Sequence, residues 1–150
     1  MVRQILIYPR DKSILTQKSE KIEEIDDSIH TLIEDLKETL HKEKLGVGIS
    51  AVQVGELKRL CIVKYNNQDI VLINPEITRK RGEVISREGC LSAPNTYTYV
   101  PRAQKIWCTY TDENGNEKEL SDGGKLSIIV QHEVDHLDGW CKVFDAVEEK

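Results

Sequence analysis

His132, Glu133 and His136 stand in the order HExxH. On an α-helix, residues four apart lie one turn apart on nearly the same face, so both imidazoles can reach one cation. Glu133 then sits beside the pair as a base that holds and deprotonates a water without being a ligand. A hydrolytic centre of this kind needs three protein donors and a fourth position open to water, so the motif demands a further ligand. The metzincin pattern would place another histidine at position 142, which is Lys142. The glutamates that follow the motif are Glu148 and Glu149, too close to the end of the sequence to suit the downstream-glutamate peptidases.

The cysteines are the remaining source of that ligand. Cys61 in LCIVKY, Cys108 in IWCTY and Cys141 in GWCKVF are flanked by apolar or aromatic residues and read as small core side chains. Cys90 differs, lying between Glu88-Gly89 and Leu91-Ser92, where a glycine lets backbone approach a metal closely. It is the candidate thiolate. A thiolate with two imidazoles suits Zn(II) and Fe(II) alike. The segment GVGISAVQVG, Gly46 to Gly55, carries Gln53, a neutral double N–H donor among small and apolar residues, which suits an oxyanion contact.

These groups need elements to position them. Ile29, Leu32, Ile33, Leu36 and Leu40 recur at helical spacing and predict an amphipathic helix over Asp26 to Lys42, with Asp26, Asp27 and Ser28 as capping candidates. His30 and His41 on or near it read as surface histidines. From Arg59 the pattern turns to short β-rich runs: RLCIVKY, DIVLINP after the turn at Asn66-Asn67, EVIS, and KIWCTYT. Asn114-Gly115 marks a hairpin leading to a short strand over Glu117 to Leu120. LSIIVQHEVDHL then reads as a helix carrying the HExxH. The expectation is an α+β fold, mostly antiparallel sheet packed around a C-terminal HExxH helix, with an N-terminal amphipathic helix.

The 150 residues suit one domain, 1–150. A hydrophobic share of 39% against 31% charged is that of a globular chain rather than a disordered one. The formal charge of −5 opposes direct nucleic-acid binding, and Arg79-Lys80-Arg81 reads as a solvated strand end or turn. The opening MVRQILIYPRDKS has too short an apolar stretch for a signal peptide, and no segment approaches the ~20 apolar residues of a spanning helix. A cytoplasmic protein without membrane contact is expected, its cysteines free or bound to metal rather than bridged.

Taken in order, GVGISAVQ at 46–53, EGCLS at 88–92 and QHEVDH at 131–136 resemble the three motifs of the peptide deformylase family. The resemblance covers nearly the whole chain and takes in VPRAQKI at 100–106. It implies hydrolysis of the formyl group from formyl-methionyl peptides of newly made proteins, with release of formate. It implies one metal on Cys90, His132 and His136, with iron as the physiological ion and Zn(II), Ni(II) or Co(II) as other occupants. Glu133 would move the proton, while the Gln53 amide and the Leu91 backbone N–H would face the developing oxyanion. The nascent peptide would lie extended against Gly46, Val47 and Gly48 on one side and Glu88, Gly89 and Leu91 on the other. Val47, Ile128 and Ile129 would line the methionine pocket. Glu88, Arg102 and Asp135 would orient the ligands.

Ser50, Val52, Arg87 and Tyr97 depart from the usual residues at their positions, and none is expected to touch a ligand, the base or an oxyanion donor. The acidic tail Glu148-Glu149-Lys150 lacks the basic helix with which some relatives dock on the ribosome, so ribosome contact is a secondary expectation and a monomer the primary one. The competing readings are another metallo-amidase or peptidase on the same centre, or a deformylase-like metal-binding protein without activity.

Overall fold

The computed structural model describes residues 1–148. Two α-helices, a single turn α1 (Lys12–Leu15) and the long helix α2 (Asp27–Lys42), precede seven strands, and a third helix follows them. Asp26 caps α2 by accepting from the Ile29 N–H. Its apolar stripe buries Ile29, Leu32, Ile33, Leu36 and Leu40 against Ile49, Leu60, Ile62 and Ile73 of the sheet. That stripe and the cap are those expected from the spacing.

The strands are β1 (Gly48–Ser50), β2 (Leu60–Tyr65), β3 (Gln68–Arg81), β4 (Val84–Cys90), β5 (Ala93–Arg102), β6 (Lys105–Thr111) and β7 (Glu117–Asp122). Five of them form one antiparallel sheet in the order β1-β2-β3-β6-β7, while β4 and β5 pair as a separate ribbon. Asn66 and Asn67 both take positive φ in the β2–β3 turn, as that tight reversal requires. Arg79 to Arg81 lie on the exposed end of β3, where Arg79 stacks on Trp107 at 4.6 Å. His30 and His41 are exposed, and His41 meets Asp69 at 2.8 Å.

Helix α3 (Lys125–Leu137) inserts Leu126, Val130, Val134 and Leu137 between itself and β2, β3 and β6. The layout is thus the α+β arrangement expected, with sheet wrapped around the HExxH helix. The ribbon differs. EVIS is only the start of β4, which runs on to Cys90, and β5 was not anticipated as a strand at all. Pro94 and Pro101 mask it in the sequence. Proline is tolerated there because a two-stranded ribbon is all edge. Glu149 and Lys150 of the acidic tail lie outside the described residues. Among the described residues, no helix is long and apolar enough to cross a membrane.

Candidate metal centre

Each candidate donor reaches the cluster for a local reason. Cys90 ends β4 at a register shift after Glu88, in the tight link to β5 where it pairs with Ala93. His132 and His136 project from one face of α3, buried, with ring centroids 5.0 Å apart. Cys90 Sγ lies 3.2 Å from His136 Nε2.

A fourth donor joins them. Cys141 is buried as expected of a core thiol, but its sulfur belongs to the cluster, 4.0 Å from His132 Nε2. The donor atoms of Cys90, His132, His136 and Cys141 all lie within 4.8 Å of one another. Reading Cys141 as core alone was therefore incomplete. Its flanking Trp140 and Phe144 conceal a role that depends on the turn before it. At the end of α3 the Trp140 N–H donates to Asp135 O and the Gly139 N–H to His136 O, the paired bonds of a Schellman turn. Gly139 has φ +92°, and a Cβ there would stand 2.9 Å from Thr16 O. This reversal sends residue 141 back beneath the helix.

Three charged residues brace the ligands. Arg102 clamps Glu88 through Nε at 2.9 Å and a terminal nitrogen at 2.7 Å, and also donates to Asp135. Glu88 in turn meets His132 Nδ1 at 2.9 Å, so Nδ1–H donates and Nε2 keeps its lone pair for a metal. Burial alone would push the Glu88 carboxyl up. The Arg102 guanidinium and then His132 outweigh it, bringing the carboxyl down to about 2. For Asp135 burial wins over Arg102, and its carboxyl is raised. Of the three, Glu88 touches His132 directly, Arg102 reaches it through Glu88, and Asp135 meets Arg102.

Glu133 and Gln53 complete the wall. The Ser50 hydroxyl lies 3.0 Å from both Glu133 Oε1 and the Glu133 carbonyl, and so anchors the Glu133 carboxylate. The expectation that Ser50 touches no such group is overturned. Its signal was available, because Ser50 and Gln53 form a capping box at the 3-10 turn Ala51–Val54. In that box Gln53 Oε1 accepts from the Ser50 N–H at 2.9 Å, which turns the amide nitrogen toward Ser92 Oγ at 3.1 Å and Cys90 Sγ at 3.7 Å. Gly48 packs directly on the Glu133 side chain. Val47 is half exposed, and Leu91 and Ile128 are partly buried. Ile129 packs on the core beneath α3. Arg87 and Tyr97 stack on each other at 4.5 Å, and the Tyr97 ring packs against Gly89, next to Cys90.

The donor set fits a divalent ion such as zinc or iron. Sulfur and imidazole nitrogen converge at ligand-to-ligand spacing, with His136 presenting Nε2 to the Cys90 sulfur. Close approach of the donors shifts their proton affinities. Burial lowers His132, yet the Cys141 thiol and Glu88 together hold it well above the ordinary imidazole value. The hydrogen bond from Cys90, with the two imidazoles, draws the Cys141 thiol far below the ordinary range. A bound metal would displace the His132 proton and take the Cys141 sulfur as thiolate.

The polypeptide deformylase family model matches residues 2–150. The peptide deformylase of Dictyoglomus thermophilum is 46% identical over 136 residues, covering 91% of this chain and 88% of that one. That of Thermodesulfovibrio yellowstonii is 42% identical over 143 residues, covering 92% and 85%. Among solved structures, a Legionella pneumophila peptide deformylase superposes with TM-score 0.90 at 35% identity, covering 99% of this chain and 87% of that one. The Synechococcus elongatus enzyme in complex with actinonin gives TM-score 0.89 at 35% identity, covering 99% and 80%. Sequence, fold and donor set agree, and the chain belongs to the peptide deformylase family.

Proposed function

We infer that Cys90, His132 and His136 hold the metal of this hydrolase and that Glu133 is its proton carrier. The chain is a metal-dependent hydrolase of formyl-methionyl peptides. The observation that carries the residue assignment is the meeting of Cys90 Sγ and the two imidazoles beside a carboxylate tethered by Ser50. When bound, the ion acts as a Lewis acid on the formyl oxygen and lowers the pKa of water.

The protein supplies the rest. Glu133 accepts the proton of the attacking water and returns it to the leaving amine. The Gln53 N–H and the Leu91 backbone N–H face the carbonyl oxygen as its charge grows. Arg102, through Glu88, holds His132 in one tautomer and one orientation. β1 is the terminal strand of its sheet, so an extended peptide adds to it along Gly46 to Gly48 and faces Glu88, Gly89 and Leu91 across the cleft. Such pairing reads backbone rather than side chains, which suits many nascent chains. Val47, Ile128 and Ile129 supply the methionine pocket. The native ion is Fe(II), replaceable by Zn(II), Ni(II) or Co(II), in a monomeric cytoplasmic enzyme whose contact with the ribosome is secondary.

Anaerobic purification, metal analysis and a formate-release assay on formyl-Met peptides test this reading. Glu133→Ala is expected to keep the metal and lose turnover, whereas Cys90→Ala loses both. Full turnover in Glu133→Ala removes it as the base. Release of amino acids in place of formate would favour a peptidase.

A further inference from the structure

Deformylation as derived above leaves Cys141 without a task, although its sulfur shares the donor cluster. We propose that Cys141 Sγ is a fourth, displaceable protein ligand that caps the bound ion at rest, an inference that rests on Cys90, His132 and His136 being the other three.

The geometry points to ligation. In a tetrahedral site with metal–sulfur near 2.3 Å and metal–nitrogen near 2.0–2.1 Å, adjacent sulfur and nitrogen donors stand about 3.5 Å apart. The two measured pairs, 3.2 Å for Cys90 with His136 and 4.0 Å for Cys141 with His132, straddle that value. Two cysteines and two histidines form the donor set of closed, structural zinc sites. The other polar side chains named at this wall are engaged elsewhere. Gln53 is turned to Cys90 and Ser92, and Glu133 to Ser50.

A permanently closed site would have no use for a tethered carboxylate or an amide N–H aimed at the centre. The cap therefore leaves during turnover. The supports of the four ligands differ in a way that selects which one. His132 is braced by Glu88 and Arg102, His136 is fully buried on α3, and Cys90 is fixed in the ribbon. Cys141 lies on the short link after Gly139, next to a half-exposed Trp140. A change of its χ1 rotamer is the motion that would carry Sγ out of bonding distance. Substrate entry and thiolate departure are then one competition. The resting donor set is softer than a single thiolate with two imidazoles.

X-ray absorption at the zinc edge of the zinc-loaded full chain reads the ligands directly. Two sulfurs at about 2.3 Å are expected, falling to one in Cys141→Ser. An excess of acetohydroxamate, an oxygen chelator, is expected to lower the wild-type count from two to one. One sulfur in the untreated wild type overturns the cap and leaves the three-ligand reading standing. No sulfur overturns both. Two sulfurs that persist under acetohydroxamate refute a displaceable ligand.

Discussion

Gly48→Ala places a single methyl group against the proposed base. A Cβ at residue 48 would lie 2.7 Å from Glu133 Oε2 and 3.0 Å from its Cδ and Cγ. Heavy atoms at contact prefer roughly 3.5–4.0 Å, so the carboxylate must retreat by about 0.5–1 Å. It cannot do so freely, because Ser50 holds Oε1 and α3 holds the backbone. The strand itself accepts alanine, since Gly48 is extended and paired with Val63. Misplacing a catalytic group by ~1 Å costs on the order of 100-fold, or about 3 kcal/mol of barrier. The expected result is a kcat for formate release reduced about 100-fold with metal content intact. Combining Gly48→Ala with Glu133→Ala should then cost nothing beyond Glu133→Ala alone, because both act on the same group. A further large loss in the double variant, or wild-type kcat in the single one, would refute the reasoning.

Two further outcomes follow from burial and charge. The Glu88 carboxyl titrates at about 2 in the folded protein against 4.5 when unperturbed, so the unfolded chain binds its proton first as pH falls. The stabilisation, about 3 kcal/mol for a shift of that size, is present above pH ~4.5 and lost as pH drops toward 2. Urea unfolding of the metal-free protein along that pH series should show it as a wild-type advantage over Glu88→Gln that shrinks through this window; a constant difference would contradict it. Leu36 is fully buried between α2 and the sheet, and Leu36→Ala should destabilise by about 2–5 kcal/mol in the same unfolding measurement, with kcat unchanged.

The parts of the site that the sequence disclosed share a property with those it concealed, once the source of their geometry is compared. His132 and His136 are legible because one regular helix fixes their relation, and four residues of spacing suffice to state it. The α2 core face is legible for the same reason. Cys90 is legible through composition, as a thiol in a polar, glycine-bearing run. Ser50 and Cys141 depend instead on turns: the 3-10 entry that aims a hydroxyl at Glu133, and the Schellman reversal that returns a thiol beneath α3. In each turn the final direction is a sum over several dihedral angles, and the neighbours of Cys141 look the same whether its sulfur fills a core or faces a cation. β5 was hidden by a related ambiguity, since Pro94 and Pro101 weaken any strand pattern yet cost nothing where no second neighbour needs their missing N–H. Local periodicity thus identifies the groups that supply the chemistry, and turn geometry sets how many of them meet. That second number matters most here, because a fourth donor, the second sulfur, decides under the proposal whether the resting site is open.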